Sequence, residues 1–220
     1  METKQKGSAG DFLPKRRTLA SLRAAAHSCK GCDLYKNATQ TVFGEGPKDA
    51  SVMFVGEQPG DVEDRLGRPF VGPAGRMLDK ALVEAHIPRE EVYVTNAVKH
   101  FKFIQRGKRR LHQKPVIRQV ISCRPWLQAE LGIIHPKVVV CLGATAAQSM
   151  LGRIVRVTKE RGKFLDGDSG ATVFITIHPS AIYRLRGERE RQEEYRHFVA
   201  DMKSVQRRLY SREEHDSSRR

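Results

Sequence analysis

The chain has 220 residues, 39% of them hydrophobic, which is enough for one well-buried core. Its 40 Lys and Arg against 25 Asp and Glu give a formal charge of +15, so a polyanion is the expected partner. No apolar run approaches a membrane span and no basic amphipathic helix dominates, which puts nucleic acid ahead of a membrane surface.

The first seventeen residues, METKQKGSAGDFLPKRR, lack the apolar stretch of a secretory signal and read as a flexible basic arm (1–17) of a cytoplasmic protein. Neither an internal repeat nor a second core is visible, so a single monomeric domain is expected over 18–210. Cys29 and Cys32 form CKGC, Cys123 sits in SCRPWL and Cys141 in VVVCLG. With nothing pointing to secretion, metal ligation or plain burial is expected before disulfides. CxxC alone is compatible with zinc, an iron–sulfur cluster or redox chemistry, the last disfavoured because no thioredoxin-like unit surrounds it.

Short apolar runs at 51–56, 92–98, 137–143 and 171–179, rich in Val and Ile, read as four strands. Between them, 72–87, 116–134 and 144–152 carry helical spacing, 188–210 makes a long last helix, and 211–220 is a polar tail expected to be disordered. Strands alternating with helices predict an α/β fold around a parallel sheet, with its chemistry at the carboxyl ends of the strands. Residues 99–115 form a long connection without apolar periodicity, the kind of segment that is functional or disordered.

The loop after the first strand, GEQPGDVEDRLGRPFVGPAG, contains neither GxGxxG nor GxxxxGK[ST], which argues against a dinucleotide or nucleoside triphosphate. It offers Glu57, Gln58, Asp61 and the aromatic Phe70, a set suited to a base withdrawn from its stack. Taken singly, each has a plainer reading: Phe70 caps the core and the acids are solvated. The second strand ends at Asn96, whose amide both donates and accepts and so matches the edge of a pyrimidine such as uracil. The fourth ends in HPSAIYR, placing His178 and Ser180 before a basic patch of Arg184 and Arg186. In RGKRRLHQKP, a single imidazole, His112, follows Lys108, Arg109 and Arg110.

In this order, GEQPG, GRPFVGPAG, VTNAVKHFKF, GKRRLH, CRPWL, LGATAA and HPS resemble the uracil-DNA glycosylase superfamily, and most closely its UdgX-type branch, related to the iron–sulfur family-four enzymes. The resemblance runs from about Cys29 to the last helix. It implies a three-layer αβα sandwich around a four-stranded parallel sheet, with uracil-containing DNA, especially single-stranded, as substrate. Phe70 would stack on the flipped uracil, Asn96 would read its edge, and His178 would hydrogen-bond the carbonyl that gains charge as the glycosidic bond breaks, with Gln58 and Asp61 nearby. The resemblance places Gln58 where other members carry a water-positioning aspartate, leaving Glu57 as the neighbouring acid. It also implies that His112 becomes joined covalently to the DNA, held by Glu57, while Lys108, Arg109 and Arg110, with Ser180 and Arg184, grip phosphates. Leu111 stands where the related loop carries isoleucine.

For the metal, the resemblance implies a 4Fe-4S cluster on Cys29, Cys32, Cys123 and His100, since His100 falls where family-four enzymes place a cysteine. Cys141, in a buried strand, is the alternative fourth ligand. Two other readings stay open: an ordinary turnover glycosylase, and a non-catalytic nucleic-acid-binding module with structural zinc.

Overall fold

The computed structural model describes residues 7–167 and 170–217, with side chains as far as residue 210. Its strands are β1 (Val52–Gly56), β2 (Val92–Asn96), β3 (Phe103–Arg106), β4 (Arg109–His112), β5 (Val138–Leu142), β6 (Phe164–Asp166) and β7 (Thr172–Thr176). The helices are α1 (Leu19–Ala26), α2 (Asp61–Leu66), α3 (Pro73–Glu84), α4 (Ile117–Ile134), α5 (Ala144–Leu151), α6 (Val157–Glu160), α7 (Pro179–Arg184) and α8 (Glu188–Ser217).

The four expected strands pair in parallel in the order β2-β1-β5-β7. Every residue of β1, β2 and β5 is buried, the reason these segments read as unbroken apolar runs rather than as an alternation. Phe54, Val94, Val140 and Phe174 face one layer, packing on Leu78 and Leu82 of α3 and on Phe198 and Met202 of α8. Met53, Val139, Cys141 and Ile175 face the other, against Leu127 and Leu131 of α4 and Met150 of α5. The αβα sandwich is thus in place.

Four particulars differ from the sequence expectation. The sheet has a fifth strand, β6, running antiparallel along β7, with the Phe164 and Phe174 rings 4.6 Å apart. Three residues are too few to display a period, so packing against β7 alone defines this edge. The described part of the arm, residues 7–17, is docked: Ala9 is buried in a cluster with Leu22, Cys29, Cys123 and Trp126, and Phe12 and Leu13 pack against it. Gly31 permits the approach, since a Cβ there would meet the Ala9 amide at 2.5 Å. Helix α8 continues to Ser217 rather than stopping at 210, through Arg and Glu residues that favour helix. Residues 1–6 and 218–220 lie outside the described residues.

Most consequential, the long connection contains a β-hairpin, β3 against β4, turning at Gly107 in the left-handed region (φ 57°). Arg110 supplies its inner face, with its guanidinium over Phe101 at 5.5 Å and Phe103 at 5.0 Å. His112 is therefore fixed opposite Phe103 at the hairpin's base, and Lys108, not His112, sits at the exposed tip.

Candidate active site

Parallel register sets Gly56 beside Asn96 and Leu142 beside Thr176, so the strand ends share one rim. The loops leaving it frame a cleft of about 890 Å³, within the size range of ligand sites. Glu57, Gln58, Asp61, Phe70, Asn96, His112, His178, Ser180 and Arg184 all line it.

Phe70 adopts a left-handed backbone (φ 56°), a conformation that costs a non-glycine residue about 1–3 kcal/mol and persists only where the surroundings enforce it. The enforcement comes from Glu63, a buried carboxylate in the first turn of α2. It accepts from Gly60 N at 3.1 Å and Gly72 N at 2.7 Å, tying both ends of the loop that carries Phe70. Gly75 is required as well, since a Cβ there would fall 1.7 Å from the Phe70 carbonyl oxygen. The Phe70 ring packs into the core and also lies near-parallel to His178, with centroids 6.4 Å apart and a 30° interplanar angle. Across from it, Asn96 is 3% exposed at the end of β2, and its side-chain amide makes no hydrogen bond among the described residues. Gly56 leaves the space beside both open: a Cβ there would stand 2.3 Å from Asn96 Oδ1 and 2.8 Å from Phe70 Cζ. A flat slot with a ring on one wall and an unspent amide at its end is what a single nucleobase fills.

His178 caps α7. Its Nδ1 accepts the Ser180 backbone N–H at 3.1 Å, so the ring proton resides on Nε2. Burial, aided by the positive charge of Arg184, lowers its pKa to about 4, which keeps the ring neutral near pH 7. The Ser180 hydroxyl lies 2.8 Å from the same Nδ1 and accepts from Arg184 at 2.9 Å. Ser180 is thereby a support for His178.

Also lining the cleft, His112 Nε2 lies 3.5 Å from Glu57 Oε1, and Glu57 Oε2 accepts the Thr145 hydroxyl at 2.5 Å. Burial pulls the His112 pKa below its ordinary value, with Glu57 opposing and Arg184 reinforcing. Sequence reasoning misses Thr145, in the first turn of α5. Its only signal is a hydroxyl just past a glycine at a strand end.

Three expected ligands have other duties. Gln58 spends its amide on the hairpin, donating to Lys102 O at 3.2 Å and Gln113 O at 3.0 Å and accepting Lys102 N at 3.1 Å. That side chain staples the segment bearing His112 to the end of β1. Arg110 turns inward, 11% exposed, pairing with Asp61 and with Asp64 at 2.6 Å and donating to Thr39, so it holds the hairpin. Asp61 is correspondingly engaged by Arg110 and by Arg65 at 3.0 Å. Lys108 and Arg109 remain exposed at the hairpin tip.

Residues 43–203 match the sequence signature described as the Uracil DNA glycosylase superfamily. The chain belongs to that superfamily. It is 41% identical over 165 residues to the type-4 uracil-DNA glycosylase of Thermotoga maritima, covering 74% of this chain and 82% of that one. It is 33% identical over 177 residues to the type-4 uracil-DNA glycosylase of Archaeoglobus fulgidus, covering 77% and 85%. Over 154 residues it is 30% identical to the type-5 uracil-DNA glycosylase of Pyrobaculum aerophilum, covering 62% and 64%.

In this superfamily member the thiols of Cys29, Cys32 and Cys123 share one hydrophobic cluster. Cys29 Sγ receives the Trp126 indole N–H and Cys123 Sγ the Lys99 backbone N–H, each at 3.3 Å. Such N–H···S contacts suit thiolates. Burial raises the Cys123 pKa to about 12 and that of Cys32 less, so these sulfurs gain charge only with a cationic partner. His100 follows Lys99 directly, but its Nε2 lies 3.0 Å from the Thr41 hydroxyl, and burial lowers its pKa to about 4. Cys141 sits apart, in the middle of β5 within the other core layer. Among the described residues no group of three or more His, Cys, Asp or Glu stands in a metal-holding arrangement. None of their helices is long and apolar enough to cross a membrane.

Proposed function

We propose that this protein excises uracil from DNA and then traps the resulting sugar on His112, as the UdgX-type resemblance implies. The observation that carries the reading is the placement of an imidazole, oriented by Glu57, at the mouth of a slot formed by Phe70, Asn96 and His178. The glycosidic bond breaks with its electron pair leaving on uracil, whose charged carbonyl receives a hydrogen bond from neutral His178 Nε2–H. Asn96 pairs with the uracil edge, and cytosine is refused because its donor–acceptor order is reversed. The sugar left behind is an oxocarbenium-like electrophile. The lone pair of a His112 nitrogen closes a bond to C1′, the ring gives up its remaining N–H proton toward Glu57 or solvent, and the uracil anion takes one up. A held nucleophile outcompetes water through effective molarity, on the order of 10⁵ M or more. Single strands fit this chemistry well, because their bases enter a slot without an unpairing cost.

The pH dependence separates the two steps. Protonation removes the attacking lone pair of His112, so adduct yield should fall as pH drops through a midpoint below 6.5. Uracil release should persist further down, toward about 4, where His178 takes up its proton. Adduct and free uracil measured in the same samples test this. A common midpoint for both, at or above 6.5, contradicts the assignment.

An iron–sulfur cluster on Cys29, Cys32 and Cys123 with His100 as the fourth ligand rests on the family-four resemblance; the three cysteines share one hydrophobic cluster but do not stand in a metal-holding arrangement. Held by these residues, such a cluster would tie the N-terminal segment to α4. Anaerobically purified protein should be brown with roughly four irons per chain. Cys123→Ala should lose the colour and Cys141→Ala should keep it. Colourless wild-type protein with one zinc would overturn the cluster.

A further inference from the structure

In the core behind the slot lie two charges that the chemistry above does not use. Lys99 and Glu130 are both 0% exposed, with Nζ 2.5 Å from Oε2. Burying such a pair costs several kcal/mol per ion before mutual attraction repays it, so a bare stabilising role is poorly served by this arrangement. The ammonium is fully subscribed. Besides Glu130 it donates to Thr95 Oγ1 at 2.5 Å and to the backbone carbonyl of Asn96 at 2.8 Å. Glu130, reaching in from α4, also accepts from Gly44 N at 3.1 Å, Tyr93 OH at 3.0 Å and Thr95 Oγ1 at 3.0 Å. Fit is tight: a Cβ on Gly44 would lie 2.3 Å from Glu130 Oε1.

The location matters as much as the bonds. Asn96 ends β2, and the chain then turns away, with Ala97 N and Val98 N still bonded to the Gly56 and Glu57 carbonyls at 2.9 and 3.0 Å. Lys99 folds its side chain back along this turn and grips the Asn96 carbonyl from beneath, fixing the peptide plane that leaves the base-reading residue. An amide buried to 3% exposure without a hydrogen-bond partner of its own among the described residues keeps its aim through its backbone.

We propose that the Lys99–Glu130 pair is a positioning element for base recognition, holding the Asn96 carbonyl so that the Asn96 amide presents its donor and acceptor to the nucleobase in the slot. The inference rests on the reading of Asn96 as the residue that reads uracil. Lys99 acts only through Asn96 and touches neither base nor sugar.

The test removes the clamp without stranding a charge. Lys99→Met combined with Glu130→Gln leaves an uncharged interior in which the new side-chain amide still accepts from Gly44 and Tyr93. The melting temperature of this double variant should stay near wild type, and single-turnover uracil release should slow about 10²-fold, the size of effect that misplacing a catalytic group by an ångström produces. Preference for uracil over cytosine should shrink in parallel. Asn96→Ala is then made in both backgrounds. If the pair works through Asn96, that change costs far less in the variant than in wild type; a merely structural pair gives additive losses. Lys99→Met alone, in which Glu130 keeps three donors, carries the same expectation if the double variant does not fold. Unchanged release and selectivity in a chain lacking Lys99, while Asn96→Ala alone abolishes them, overturns the inference and leaves the reading of Asn96 standing. Normal excision by Asn96→Ala overturns both.

Discussion

His112→Ala should abolish the detergent-stable protein–DNA adduct while leaving uracil release within about tenfold of wild type. The two functions rest on different side chains of the same cleft. On the proposed reading, bond breaking draws on Asn96 and on His178, whose proton is held on Nε2 by the Ser180 amide, and neither is hydrogen-bonded to His112 among the described residues. On the same reading, trapping draws on the imidazole that stands 3.5 Å from Glu57, itself bonded by the Thr145 hydroxyl. Without it, water reaches the sugar, abasic DNA accumulates and the protein becomes free to turn over. The wild type, by contrast, should stop after one event, because the imidazole–sugar bond has no readily expelled partner. Labelled oligonucleotide on a denaturing gel, with free uracil measured beside it, separates the outcomes. If His112→Ala crosslinks as well as wild type, or peptide mapping finds the DNA on another side chain, the hairpin is only a DNA-binding element.

Gly56→Ala should lower uracil release by about 10²-fold or more, the largest effect expected from adding a single methyl group. Its Cβ would stand 2.3 Å from Asn96 Oδ1 and 2.8 Å from Phe70 Cζ, closing the slot from the floor. Neither neighbour yields easily. Phe70 is pinned in a left-handed backbone by Glu63 and by the close packing of Gly75, and Asn96 is held by strand pairing on one side and by Lys99 on the other. Overpacking of this sort costs typically about 1–3 kcal/mol of stability, so the variant should fold. A melting curve taken beside the kinetics distinguishes a blocked slot from a lost fold. Gly56→Ala protein that melts near wild type and releases uracil at the wild-type rate would show that the base does not lie between Phe70 and Asn96. Adduct formation should fall with release, since on the proposed reading His112 acts only on a sugar already freed of its base.

How much of this was legible beforehand follows from the range of the forces involved. The four parallel strands announce themselves in the sequence because burial on both faces demands continuous Val and Ile, a local property. Their register then brings Glu57, Asn96 and His178 to one rim with no further information. Part of the slot could be anticipated for the same reason, since Asn96 ends β2 and His178 follows β7, whereas Phe70 is returned to it only by the loop through α2.

The hairpin could not. Phe103–His112 looks like a solvated basic loop until Arg110 is seen between two rings and two carboxylates contributed by a helix some fifty residues earlier. The same applies to Gln58, which reads as a catalytic amide and serves as a staple to Lys102 and Gln113. Polar side chains of one type do either job, and only the partners that folding delivers decide which. Glu63, Thr145 and the Lys99–Glu130 pair were silent for a related reason: a charged or polar residue in the sequence is presumed solvated, and its burial is visible only once distant partners surround it. The sequence by itself determined the layers, the rim and the chemical types gathered there. Which of those groups face the substrate and which hold the others in place was decided by tertiary contacts, because hydrogen bonds and ion pairs act over a few ångströms in space whatever the separation along the chain.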